Sequence, residues 1–182
     1  IAQTHEGTAS WLGAEDVIVE SELHRLGDIS YVIGVGSNSI RKRIASKHGN
    51  TLRFVNLIHP SATFGRDQLE RINAGQGNII CAGVRFTNCT RIGNHCIFNL
   101  NATVSHDGQI SDFVYVAPGA HIMGIVRIGR GTWVGAGAVI NQGNHDQKIS
   151  IGEDVVIGSG AVILGDLESN ATYVGVPARK LT

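Results

Sequence analysis

Residues 80–140 read ICAGVRFTNCTRIGNHCIFNLNATVSHDGQISDFVYVAPGAHIMGIVRIGRGTWVGAGAVI, and one spacing runs through the whole stretch. An apolar residue returns every six positions: Ile80, Phe86, Ile92, Phe98, Val104, Ile110, Val116, Ile122, Ile128, Val134 and Ile140. Four positions after the lead residue the side chain is almost always small or β-branched, as in Val84, Thr90, Cys96, Ala102, Val114, Ala120, Val126, Thr132 and Ala138. A helix repeats at 3.6 and an amphipathic strand at 2, so neither yields a strict six with two fixed apolar slots. Short strands joined by tight corners do. Three of them close a triangular coil of about 18 residues, and each coil lays its lead side chains on those of the coil below. Every lead residue is then expected to bury fully, contributing roughly 1.5–3 kcal/mol apiece.

Past Ile140 the next lead residue is Ile151, eleven positions on, and the period resumes with Ile157 and Ile163. Eleven exceeds six by five, which predicts a five-residue loop around residues 143–148. The fold expected from residue 80 to the C-terminus is therefore a mainly β, parallel coiled prism. Its side faces are suited to pairing with other subunits.

The chain before the repeat has a different texture. SYVIGVG, residues 30–36, reads as a short buried strand running into a glycine turn. Residues 38–48 place Ile40, Ile44 and Ala45 at helical spacing, with Arg41, Lys42, Arg43 and Lys47 as a basic face and Ser37 or Asn38 as N-cap. Residues 51–58 are a second strand candidate and residues 16–26 a helix candidate. Strand, glycine turn, helix and strand is the order of a small α/β unit. Such a turn can hold phosphate at a helix N-terminus, or simply turn the chain; both readings stand. The expected organisation is a partial α/β nucleotide- or sugar-binding domain over residues 1–60. A bridge over residues 61–79 leads into the coiled domain over residues 80–182, with a C-terminal cap. Residue 1 is isoleucine rather than methionine, which suggests that the natural chain begins earlier.

Composition narrows the classes. Lys plus Arg and Asp plus Glu both number 15 among 182 residues, so no global field draws the chain to nucleic acid or anionic lipid. The 24 glycines against 3 prolines fit many tight corners. No apolar run approaches the 18 or so residues of a membrane helix, and the start lacks the basic and apolar regions of a signal peptide. Three cysteines (Cys81, Cys89 and Cys96) without a CxxC pair fit reduced thiols, and a cytoplasmic location is expected.

Histidine is the natural general base at neutral pH. His5, His24 and His48 have no partner pattern and read as surface residues. His95 and His121 fall on outward positions of the repeat, and His145-Asp146 in the interrupting loop. His106-Asp107 falls at a corner, and eighteen residues on, one coil away, stands Gly124. A glycine stacked on a corner histidine leaves an exposed backbone N–H beside a general base, a plausible acyl-transfer arrangement. A surface histidine is the alternative.

Several stretches together, NATVSHDGQI (residues 101–110), VAPGAHIMG (116–124), GVPARK (175–180), VIGVGSNSIRKRI and LIHPSA, resemble the bacterial sialic acid O-acetyltransferases and bacillosamine-type nucleotide-sugar N-acetyltransferases. These are hexapeptide-repeat acyltransferases. The resemblance implies a left-handed parallel β-helix, acetyl-CoA as co-substrate, no metal, and a homotrimer with active sites between subunits. It assigns His106 as catalytic base, Asp107 as its acidic support and Gly124 as donor to the acetyl carbonyl. It runs the coenzyme past Ala136 and Ser159, and places the nucleotide or sugar in the α/β part. The acceptor implied is the amino group of a nucleotide-linked 4-amino sugar in surface glycan synthesis, with a sialic acid hydroxyl as the alternative. Two departures stand out: the family's glycine-rich opening (a GAGGH-like run) is missing, and the loop at residues 143–148 interrupts the repeat.

Two other readings compete with this one. The γ-class carbonic anhydrases share this fold and bind zinc through histidines, but His95, His106 and His121 occupy different offsets within the hexapeptide. A non-catalytic nucleotide-sugar scaffold would leave the His106–Gly124 match without a purpose.

Overall fold

The computed structural model describes residue 18 and residues 20–182, and the chain divides into two units, residues 1–30 and residues 31–182. In the first unit the described part is a 3₁₀ helix, Glu20–Leu26, with Leu23 buried and an exposed Arg25–Glu22 ion pair. The helix expected over residues 16–26 is thus 3₁₀ rather than α where it can be seen. Residues 16, 17 and 19 lie outside the described residues, as does His5.

The second unit is dominated by a left-handed β-helix. Its first face stacks Leu57–Ile58, Ile79–Ile80, Ile97–Phe98, Tyr115–Val116, Trp133–Val134, Val156–Ile157 and Thr172–Gly175. The second face stacks Thr63–Phe64, Arg85–Phe86, Thr103–Val104, His121–Ile122, Val139–Ile140 and Val162–Ile163. Arg91–Ile92, Gln109–Ile110, Val126–Ile128 and Ile149–Ile151 form the third. The rungs pair in parallel eighteen residues apart, as Val116 with Val134 and Ile122 with Ile140. The separation is 23 across the loop, with Ile128 opposite Ile151, 22 at the first rungs, with Leu57 opposite Ile79, and 16 at the last, with Val156 opposite Thr172.

The two apolar slots explain this stack. Val104, Val116, Ile122, Ile128, Val134 and Ile140 are at most 1% exposed, and Cys96, Ala102, Val114, Ala120 and Ala138 are fully buried. A strand of two residues offers almost no local stability, so the coil is held by this one continuous core and by rung-to-rung hydrogen bonds. The corners turn through left-handed residues, among them Cys89, Asn101, Asp107, Phe113 and Ile125, with φ between 57° and 60°.

The first rungs appear ahead of Ile80. Thr63–Phe64 pairs with Arg85–Phe86, and Leu57–Ile58 with Ile79–Ile80, so the residue 51–58 strand is two short strands, Arg53–Phe54 and Leu57–Ile58. A short helix fills the third side beneath Arg91–Ile92. Its residues are Gln68–Asn73 and it caps the core with Ile72. Gln68 imitates the missing strand: its Nε2 donates to Thr90 O (2.7 Å) and its Oε1 accepts from Thr90 N–H (2.9 Å). The other end closes with an antiparallel hairpin, Thr172–Gly175 against Ala178–Lys180.

Helix α1 (Asn38–His48) begins at Ser37, whose Oγ accepts from Ile40 N–H. Its inward face corrects the sequence reading. Arg41, expected on a basic outer face, is fully buried with Ala45, while Ile40 is 38% exposed. Arg41 donates to the carbonyls of Val35, Gly36, His95 and Phe113 and to Asn38 Oδ1, at 2.8–3.0 Å. Two of those carbonyls belong to β-helix corners, so the guanidinium fastens α1 to the prism. It also occupies the carbonyls of residues 35 and 36. The strand expected over residues 30–36 is correspondingly confined to Ser30–Tyr31. His95 holds the outward position expected of it, but its ring is buried there, edge-on to Phe54 and stacked on Phe113.

Candidate active site

Each turn of the prism has three corners, and successive coils stack corner on corner. His106 and Asp107 lie at the corner between the second and third faces. Asp107 takes the left-handed conformation (φ 57°), and its N–H donates to Asn88 O on the rung below. That turn folds its carboxylate back onto the ring, with Oδ2 2.9 Å from His106 Nδ1. When the imidazole is neutral, this pairing keeps its proton on Nδ1 and leaves the Nε2 lone pair free. The two side chains are 42% and 53% exposed, so the base is open to a partner from outside the chain.

Gly124 sits one rung above on the same corner. Ile125 N–H donates to His106 O (2.9 Å), which fixes the stacking of the two corners. The imidazole lies against the glycine itself: a Cβ there would stand 2.6 Å from His106 Nε2. Only glycine lets the base face the backbone at this rung. The sequence reading expected an exposed N–H; the residue is instead buried beneath the ring. Among the described residues its N–H meets no hydrogen-bond acceptor. An unpaired donor beside an imidazole lone pair suits a carbonyl oxygen that gains negative charge while a proton is removed nearby. The next residue, Ile125, is β-branched yet left-handed (φ 60°), a strained conformation of the kind that persists at functional corners.

Ala136 and Ser159 are both exposed and stack on each other, Gly160 N–H donating to Ala136 O and Gly137 N–H to Pro118 O. Their corner is a different one, between the first and second faces. The structure therefore brings His106, Asp107 and Gly124 together on one edge and Ala136 with Ser159 on another. The width of the second face lies between them.

The other candidate histidines are dispersed. His121 faces outward on the second face, its Nδ1 2.8 Å from Thr103 Oγ1, and His95 is buried at the third corner. Among the described residues no three His, Cys, Asp or Glu side chains form a metal-sized cluster. Burial pushes the Cys96 thiol up to about 12 and raises Cys81 as well, which disfavours either as a thiolate nucleophile. Burial also lowers His95, with Asp112 opposing and Arg41 reinforcing the shift. Sequence reasoning missed the Arg41–His95 pairing, since nothing in a helical spacing tells which face a neighbouring corner will cover.

This fold recurs among solved structures. The acetyltransferase domain of PglB from Neisseria gonorrhoeae FA1090 is 31% identical, covers 91% of this chain and 78% of its own, and superposes with a TM-score of 0.79. The chain belongs to the hexapeptide-repeat acyltransferases. Within that family it is similar to the GDP-perosamine N-acetyltransferase of Escherichia coli O157:H7, 32% identical over 152 residues that make up 82% of this chain. The chain spans 66% of that relative, just under two thirds of its length. PerB from Caulobacter crescentus, solved in complex with CoA and GDP-perosamine, is 27% identical, with a TM-score of 0.81 over 90% of this chain and 77% of its own. No family model matches the sequence.

Proposed function

We propose that the chain transfers the acetyl group of acetyl-CoA to the amino group of a nucleotide-linked 4-amino sugar, a step of surface glycan synthesis. The observation that carries this reading is His106 Nε2, oriented by Asp107 and facing a glycine whose N–H has no acceptor among the described residues. Likeness to the GDP-perosamine N-acetyltransferase supports the amino sugar over a sialic acid hydroxyl. The thioester supplies the acetyl group. His106 Nε2 takes a proton from the acceptor nitrogen as the C–N bond forms and the C–S bond breaks. Asp107 stabilises the resulting imidazolium, Gly124 N–H bonds the carbonyl oxygen, and His106 returns its proton to the departing thiolate.

A further part of the proposal concerns assembly. Ala136 and Ser159 occupy another edge from His106, so they can flank the same thioester only if a neighbouring subunit supplies them. A homotrimer of parallel prisms does this, with three sites between subunits. The α/β segment carrying α1 is proposed to hold the nucleotide. The three free cysteines suit the reducing cytosol.

Thiol release from acetyl-CoA, measured with a panel of acceptors, tests the reaction. Turnover with nucleotide-linked 4-amino sugars is expected. Turnover with free sialic acid alone would move the reaction to O-acetylation. Undiminished activity in His106→Ala would remove the mechanism.

A further inference from the structure

The corner that carries His106 and Gly124 does not continue as an ordinary corner. One rung above Gly124 the chain leaves the prism and returns at Ile149. This excursion is the loop that breaks the six-residue period. It is pinned at both ends to the rung it overlies: Gly143 N–H donates to Gly124 O (3.0 Å), and Ile149 N–H to Ile125 O (3.3 Å). A Cβ on Gly143 would stand 2.4 Å from Ile125 O, so only glycine can begin the excursion here. Inside it, Asn144 Oδ1 accepts from Asp146 N–H (3.0 Å) and Gln147 N–H (2.7 Å), while Asn144 N–H donates to Gln147 O (2.9 Å). The segment is a shaped projection seated on the backbone of the proposed carbonyl-binding residue.

Its chemistry is distinctive. Asn141, Gln142, Asn144 and Gln147 place four exposed carboxamides within seven residues. Asn144 Oδ1 excepted, the carboxamide groups of these four side chains have no partner among the described residues. A carboxamide offers both donors and an acceptor, which is what a secondary amide in a ligand requires.

Direction follows from the corner itself. A thioester carbonyl held by Gly124 N–H has His106 on one side along the prism axis and the loop on the other. The acceptor amine must meet His106, so the arm of the donor leaves toward the loop. Two methylenes separate the thioester sulfur from the first amide of pantetheine, a reach of roughly 4–5 Å, which is one rung of the stack. We infer that the projection at residues 141–148 is a recognition wall for the pantetheine arm of the acyl donor, its carboxamides bonding the arm's two amides. This rests on the acetyl-CoA reading above.

Deleting residues 144–148 restores the spacing of six between lead residues and so preserves the coil. In the full chain, this deletion is expected to raise the KM for acetyl-CoA at least tenfold while the acceptor KM stays within about twofold. The double variant Gln142→Leu, Gln147→Leu leaves the loop's backbone bonds intact and decides the matter should the deletion not fold; a three- to tenfold rise is expected. Calorimetric titration of the parent chain with CoA separates the two ideas. No CoA binding by the parent would overturn the acetyl-CoA reading and the wall with it. Parent binding with an unchanged acetyl-CoA KM in the folded variants, or a shift in the acceptor KM instead, would overturn the wall alone.

Discussion

His106 Nε2 faces a backbone and not a side chain, and that placement makes two substitutions informative. His106→Ala removes the base but leaves the corner's backbone bonds, so turnover should fall by about 10²–10⁴ while the melting temperature holds. Gly124→Ala places a methyl 2.6 Å from Nε2, where the imidazole must move off the backbone. Turnover in that variant should fall although every ionisable group remains. Normal turnover in Gly124→Ala would show that the close stacking has no part in the reaction. His95 yields a prediction of a different kind. Its folded pKa lies below the ordinary imidazole value of 6.5, chiefly through burial. The unfolded chain therefore binds the proton more readily, and stability falls as pH drops below about 6.5. His95→Phe should flatten the dependence of chemical denaturation on pH between about 5 and 7, whereas an unchanged slope would point to other groups.

At the scale of elements, two-residue strands make the coil unusually dependent on its single core. Ile122 is fully buried between Val104 and Ile140, so Ile122→Ala should cost about 2–5 kcal/mol, and Ile122→Val about 0.5–1.5 kcal/mol. Urea denaturation would read both; equal effects would mean that the coil can collapse around the cavity. Helix α1 depends on Arg41 in another way. The guanidinium is satisfied by four carbonyls and one carboxamide. Arg41→Met keeps the bulk but strands those buried oxygens, each worth about 1–3 kcal/mol when unpaired. Protease cleavage near α1, with the β-helix spectrum retained, is the expected result.

For the whole molecule the decisive question is whether the two edges of the prism act in one site. Mixing His106→Ala protein with Ala136→Trp protein under exchanging conditions tests it. If neighbouring subunits complete each site, about a quarter of the interfaces in an equal mixture join an intact His106 corner to an intact Ala136 corner. Activity near that fraction should reappear from two inactive variants. A mixture that stays inactive despite demonstrated exchange would place both edges' roles within one chain.

Some of this is legible in the sequence alone. A strict six-residue apolar repeat has one close-packed solution, since side chains eighteen residues apart must stack, and it therefore determined the prism, its core and the loop's place. His106 and Gly124 were legible for the same reason, being one full coil apart on a common corner. The resemblance added Asp107, Ala136 and Ser159. What the period could not carry was anything decided between segments of different texture. Arg41 read as part of a basic face because helical spacing does not say which face meets a neighbour, and the outward position of His95 did not reveal its burial because the period describes the prism and not what covers it. The imidazole's closeness to Gly124 and the turn of the loop onto Gly124 and Ile125 also needed the folded chain. Residue spacing fixes the rung on which a side chain lies; only tertiary packing decides what stands against it.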